Sequence, residues 1–244
     1  MTCIMEQQIK NSQDSVVVFL QRYASQYHNS DFISADPVQF PHRYHLKADI
    51  EISGFLTAFI SFGARPQILK AAGRLDVIMD RKPFQYVLSG QWKTDFCGEE
   101  SFYRTVSKNK MAQIFYWLYT IYSSHESMED ALLCGAEGNP MQRLCRLFGV
   151  SDKAPQKKLN MFLRWMIRRD SEVDFGIWTH FSPCELIIPL DTHVSEMAFR
   201  LELTKSKSYT LNNAKAITRA LAEVFPEDPC LGDFALFGYG INEL

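Results

Sequence analysis

A chain of 244 residues, 46% hydrophobic and 13% aromatic, has ample material for a core without disulfide or metal staples. Its formal net charge of −2 lacks the basic surplus that marks a simple electrostatic nucleic-acid binder, and no apolar run reaches the length of a membrane span. Six dispersed cysteines (Cys3, Cys97, Cys134, Cys145, Cys184, Cys230) show neither zinc-site spacing nor an iron–sulfur cluster and read as reduced, mostly buried thiols; with Glu6 and Lys10 interrupting any leader after Met1, they predict a cytoplasmic protein.

Apolar periodicity predicts an all-α fold. The first helix is expected over Ser15–Tyr27, and a loop with Pro37 and Pro41 follows. Asp49–Phe62 is apolar on most sides, as a central helix should be, and Gly63 ends it. Arg65-Pro66 opens the next helix, which runs through Ile78. Phe102-Tyr103-Arg104 reads either as an exposed aromatic and basic cluster or as packing. Lys108–Tyr122 carries Phe115, Tyr116, Trp117, Tyr119 and Tyr122, an aromatic set that suits a core with an amphipathic rim better than a base-stacking face.

Further helices are expected at Ser127–Cys134, Pro140–Phe148, Pro155–Arg169, Thr192–Leu203, Leu211–Phe225 and Gly232–Ile241. Strand evidence is thin: Glu185–Ile188 is short enough to be an extended approach to Pro189. From Met141 to Arg169 eight basic residues (Arg143, Arg146, Lys153, Lys157, Lys158, Arg164, Arg168 and Arg169) meet one acid, Asp152. They form either a basic patch or helix-surface charges balanced by Asp170, Glu172 and Asp174. His42, His45 and Asp49 lack a further committed ligand, so no metal site is expected.

Two segments carry candidate chemistry. In Ile187-Ile188-Pro189-Leu190-Asp191-Thr192-His193-Val194, proline stops any preceding helix, and Asp191 stands before an apolar face formed by Val194, Met197, Ala198 and Leu201. Beside free helix N–H groups an aspartate stays ionised, able to stabilise a cation or accept a proton, or simply to cap. In Gln156-Lys157-Lys158-Leu159-Asn160-Met161-Phe162-Leu163-Arg164-Trp165-Met166, adjacent lysines open a helix, either as surface charges or as an amine that its cationic neighbours activate.

Together the two segments resemble the helix-hairpin-helix DNA glycosylase superfamily. There a helix opening on Lys-x-x-Asn or Gln-Lys is followed by Pro-x-Asp-x-[His/Arg]-Val. Lys157 with Asn160 matches the first pattern, and Pro189, Asp191, Thr192, His193 and Val194 match the second. The separation of 34 positions from Lys157 to Asp191 is closest to the archaeal 8-oxoguanine glycosylases. From about Asp36 onward the chain also resembles a bacterial family of uncharacterised proteins distantly linked to that superfamily. The hairpin departs from the usual Leu-Pro-Gly-Val-Gly turn: Phe148–Gln156 has one glycine, and a proline stands two residues before Lys157.

The resemblance implies a two-lobed helical bundle: a single unit over 1–244, or lobes of about 36–135 and 136–244 sharing a cleft, with the first helix packed on the second lobe. It implies Lys157 as attacking amine, with Lys158 as the other register, and Asp191 as catalytic carboxylate. Lys153, Lys158 and His193 would contact the DNA backbone, and Asp233, Phe237, Arg65 and Gln67 the base. Asp233 could equally cap its helix. The activity implied is a base-excision repair glycosylase with associated lyase activity on an oxidised purine. Its partner would be double-stranded DNA with a damaged base, with no metal or organic cofactor and no membrane. Two other functions fit the residues: a noncatalytic helical nucleic-acid-binding protein, and a nucleoside-processing enzyme using Asp191 and His193.

Overall fold

The computed structural model describes residues 13–135 and 137–242, so Cys3 and the reading of the Met1–Lys10 segment lie outside the described residues. The chain is mostly helical. Its helices are α1 Gln13–Tyr27, α2 Asp31–Ala35, α3 Lys47–Ile60, α4 Arg65–Ile78, α5 Pro83–Ser89, α6 Trp92–Asp95, α7 Lys108–Tyr122, α8 Met128–Leu133, α9 Pro140–Leu147, α10 Lys157–Ile167, α11 Thr192–Arg200, α12 Leu211–Ala222 and α13 Leu231–Asn242. Two strands, β1 Ser101–Tyr103 and β2 Val106–Ser107, form one antiparallel hairpin. No helix among the described residues is long and apolar enough to cross a membrane. The thiols divide differently from expectation: Cys145 and Cys230 are buried, whereas Cys97, Cys134 and Cys184 are exposed.

The described residues form two compact units, the first made of the residues up to Phe32 with Asn139–Gln142 and Ser151 onward, the second of Ile33–Gly138 with Arg143–Val150. The second unit is built around α3, whose Ile50, Ile52, Phe55, Leu56, Ala58 and Ile60 are all buried. One buried charge on α3, Glu51, is satisfied by the Tyr122 hydroxyl at 2.7 Å and the Met128 backbone N–H at 2.9 Å, as a carboxylate removed from water requires. Asp49 accepts the Phe84 backbone N–H at 2.8 Å, so its carboxylate serves the entry to α5. Helix α9 ends in a Schellman motif. Gly149 takes φ 61°, Val150 N–H donates to Cys145 O at 2.8 Å and Gly149 N–H to Arg146 O at 3.1 Å. Phe102 and Tyr103 are buried in the β hairpin, which resolves that cluster as packing.

In the first unit α13 packs along α1 and against α11. The α1 contact is close because Gly238 has no side chain: a Cβ there would lie 2.3 Å from the Tyr27 ring. Gly238→Ala is therefore expected to cost about 1–3 kcal/mol by overpacking, read as a lower urea midpoint with an unchanged m-value. After α10 the chain turns back on itself. Phe175 N–H donates to Trp165 O at 2.7 Å and Trp178 N–H to Met166 O at 2.9 Å, which satisfies the last carbonyls of the helix. Gly176 makes this turn at φ 58°, where a Cβ would sit 2.8 Å from Arg168 O. The approach to Pro189 is extended but unpaired. A 3-10 turn at Pro183–Glu185 precedes it, residues Leu186–Leu190 are buried, and Ile188 N–H donates to the Thr218 hydroxyl at 3.1 Å in place of a neighbouring strand.

Candidate active site

The site lies within the first unit, where the starts of α10 and α11 meet. Lys157 is the first residue of α10, and the loop before it is fixed by side chains. Gln156 sits in the left-handed region at φ 45° and donates from its amide to Ser151 O at 2.5 Å. Asn160, fully buried, donates to Pro155 O at 2.8 Å. A left-handed non-glycine residue is costly and persists where its surroundings hold it, and here two side chains do so. The Lys-x-x-Asn spacing thus has a local physical meaning: the asparagine clamps the loop that delivers the lysine.

Asp191 is the N-cap of α11, with its Oδ1 accepting the Val194 backbone N–H at 2.9 Å. That bond orients the carboxylate, and its other oxygen, Oδ2, lies 3.0 Å from Lys157 Nζ. The two side chains keep 27% and 15% of their surface exposed, so the pair is reachable from solvent. An amine and a carboxylate at this distance, each held from its own helix start, can exchange a proton and face a common substrate atom.

Asp233 enters from α13. The helix begins at Leu231, so Asp233 lies in its first turn and is not its capping residue. It is buried, and its Oδ2 pairs with Arg164 Nη1 at 2.5 Å while Oδ1 has no hydrogen-bond partner. Burial pushes its carboxyl up to about 6; Asp191 adds to the rise, while Arg164 and Lys157 oppose it. Asp233 therefore belongs to the same electrostatic neighbourhood as the Lys157–Asp191 pair. Phe237 follows one turn later on α13, half-buried, with its ring 6.4 Å from that of Phe32.

The remaining candidates divide. His193 is exposed on the first turn of α11, and Lys153 is exposed in the loop before α10. Lys158 is half-buried, and burial with the neighbouring Lys157 charge lowers its amine to about 8. Arg65 and Gln67 stand on the first turn of α4, in the second unit.

Of the two readings of the basic segment, balance by a neighbouring acid holds for Arg164 and Arg168, which both meet Asp174, but these two lie inside and not on the helix surface. Arg164 and Arg168 are buried at 6% and 1% exposure. Arg164 Nε lies 3.4 Å from Asp174, Arg168 pairs with Asp174, and Arg168 Nη2 lies 2.7 Å from Asp228. Both guanidinium groups face the Phe234 ring, at 4.6 and 5.1 Å from its centroid. The physical reason is burial on every side: residues 162–167 at the end of α10 are all buried and Arg168 caps that end, so only internal acids can neutralise the two arginines. Arg169 instead donates to the carbonyls of Thr179 and Phe181, both at 2.8 Å.

Tyr209 is a site residue that sequence reasoning missed. It is 56% exposed; burial and the Asp191 carboxylate raise its ionisation, and the Lys157 backbone N–H opposes that rise, which places the phenol beside the pair. Its loop is stapled by hydroxyls: Thr204 donates to Asn213 Oδ1 at 2.6 Å, and Asn213 donates to Ser208 O at 2.8 Å. A serine- and lysine-rich segment between two helices carries no periodic signal that would single out its tyrosine. Among the described residues no group of three or more histidine, cysteine or acidic side chains could hold a metal ion.

Comparison with known proteins gives one positive result: a family model described as a protein of unknown function (DUF2400) matches residues 36–149 and 139–242. No curated protein and no solved structure matches the chain.

Proposed function

We propose that this chain, which belongs to the DUF2400 family over most of its length, is a DNA base-excision glycosylase with associated lyase activity on an oxidised purine, built on a helix-hairpin-helix glycosylase-like arrangement of its helices. The observation that carries the reading is the 3.0 Å approach of Lys157 Nζ to Asp191 Oδ2, two residues 34 positions apart in the chain. The resemblance supplies the substrate class, and the pair supplies groups suited to it. The free thiols Cys97, Cys134 and Cys184 suit a reducing, cytoplasmic setting.

In this mechanism the nucleotide leaves the stack, since the C1′ atom cannot be reached inside the duplex. Asp191 takes a proton from the Lys157 ammonium, and the freed nitrogen lone pair attacks C1′. The glycosidic bond breaks with its electron pair leaving on the base, which takes up the proton that Asp191 accepted, so the carboxylate is ionised again. The carboxylate stabilises positive charge at the sugar as the old bond lengthens. Asp191 then moves a second Nζ proton to the ring oxygen O4′ as the C1′–O4′ bond breaks, which opens the sugar to an iminium between Lys157 Nζ and C1′, poised for elimination of the 3′ phosphate. Asp233 and Phe237 serve the base, one as hydrogen-bond acceptor and one as stacking face. Lys153, Lys158 and His193 serve the backbone.

Borohydride reduces such an iminium to a stable amine, so the test is covalent trapping on duplexes containing 8-oxoguanine or an abasic site. Wild type is expected to form an adduct and Lys157→Ala none. Equal trapping by both proteins, or by neither, overturns the assignment. DNA binding without trapping, insensitive to Asp191→Asn, identifies a noncatalytic binder instead.

A further inference from the structure

We propose that Arg164 is the positioning residue of the base-recognition site: it fixes the Asp233 carboxylate so that one oxygen is locked and the other is left for a substrate N–H. The proposal rests on the base-excision reading and concerns how that site tells a base-bearing nucleotide from an abasic one.

The geometry is specific. Asp233 is buried, and one of its oxygens, Oδ2, is taken by Arg164 Nη1 at 2.5 Å. The other, Oδ1, is buried without a hydrogen-bond partner. A buried carboxylate oxygen with no donor is costly, and a bound donor removes that cost. Arg164 is itself immobilised: Asp174 stands 3.4 Å from its Nε, and the Phe234 ring lies 4.6 Å from its Cζ. Behind it Arg168 pairs with Asp174 and Asp228, and the His28 ring packs at 4.8 Å on Phe234. Two arginines thus face three aspartates, leaving one negative charge in excess when all are ionised. That excess suits an acceptor for an N–H donor, and Asp233 is the member of the set that also feels Lys157 and Asp191.

Lysine at 164 keeps the charge but loses the planar fork that holds Asp233 and Asp174 together and stacks on Phe234. An abasic site presents no base, so the lock matters only when a base is present. The experiment measures borohydride trapping rates on an 8-oxoguanine duplex and on an abasic duplex for wild type, Arg164→Lys, Asp233→Asn and the double variant. The ratio of the two rates is expected to fall about tenfold in Arg164→Lys, the size of one charge-assisted hydrogen bond. In the Asp233→Asn background Arg164→Lys is expected to change the ratio no further, because it acts through that carboxylate. A general loss of stability moves both rates together and leaves the ratio alone. The acidic limb of the 8-oxoguanine reaction is also expected at higher pH in Arg164→Lys, because the cation held against Asp233 is displaced. The groups facing Asp233 are Arg164 and Lys157 of α10, Asp191 at the start of α11 and the Cys230 thiol before α13. A wild type that traps while the ratio is unchanged in Arg164→Lys, or while the two substitutions add, overturns this proposal alone. A wild type that traps on neither duplex overturns the base-excision reading and this proposal with it.

Discussion

Arg168→Ala is expected to lose about 3–5 kcal/mol of folding stability. The side chain is 1% exposed, donates to Asp228 from Nε at 2.8 Å and from Nη2 at 2.7 Å, and pairs with the fully buried Asp174. Removing it strands Asp174 beside Arg164 and deprives Asp228 of its fork. It also opens a void against Phe234, which Arg168 faces at 5.1 Å. The loss is large because the remaining carboxylates keep their desolvation cost without the attraction that offset it. The contrast is Arg200, whose 3.0 Å pair with Glu196 is 41% and 33% exposed. Solvent screens that pair, and Arg200→Ala is expected to cost about 0–1 kcal/mol. Urea unfolding of the two variants checks both values. Equal midpoints would show that the buried network contributes no more than a surface pair.

The same pair of arginines marks where sequence reading stops. The start of α11 is legible because its signals are local: a proline, an N-capping aspartate and an apolar face at helical spacing lie within thirteen residues. The start of α10 is legible from its lysines and from Asn160, and the long helices α3, α7 and α12 from their periodicity. The shared partner of Arg164 and Arg168, Asp174, is near in the chain, but Asp228 and Asp233, which complete the buried network, lie 60 and 69 positions away and no local rule connects them to the arginines. The hairpin at Ser101–Ser107 escaped for a different reason. Strands of three and two residues give period-two alternation no room to repeat, and Arg104 makes the turn at φ 50° without the glycine or asparagine that would announce it. Asp233 was open between two roles until the start of α13 at Leu231 was known, since the capping residue must precede the helix. The helices α5 and α6, of seven and four residues, are too short for an amphipathic stripe to stand out.

Asp191→Asn is expected to lower the trapping rate about 10²- to 10³-fold while leaving the start of α11 intact. The two oxygens of Asp191 do different things, which makes the substitution decisive. Oδ1 accepts the Val194 N–H at 2.9 Å, and asparagine caps as well as aspartate does, so the amide oxygen takes that position. Its NH₂ group is then aimed where Oδ2 lay, 3.0 Å from Lys157 Nζ. Two donors face each other, no group takes the lysine proton, and nothing carries negative charge towards the sugar. Asp191→Ala removes the cap as well and is expected to cost about 1 kcal/mol of stability in addition to the same loss of rate. The pair of variants therefore separates capping from chemistry: thermal or urea unfolding reads the first, and single-turnover trapping on an 8-oxoguanine duplex reads the second. If Asp191→Asn traps at the wild-type rate and Asp191→Ala is merely less stable, Asp191 only caps α11, and Lys157 must find its base elsewhere.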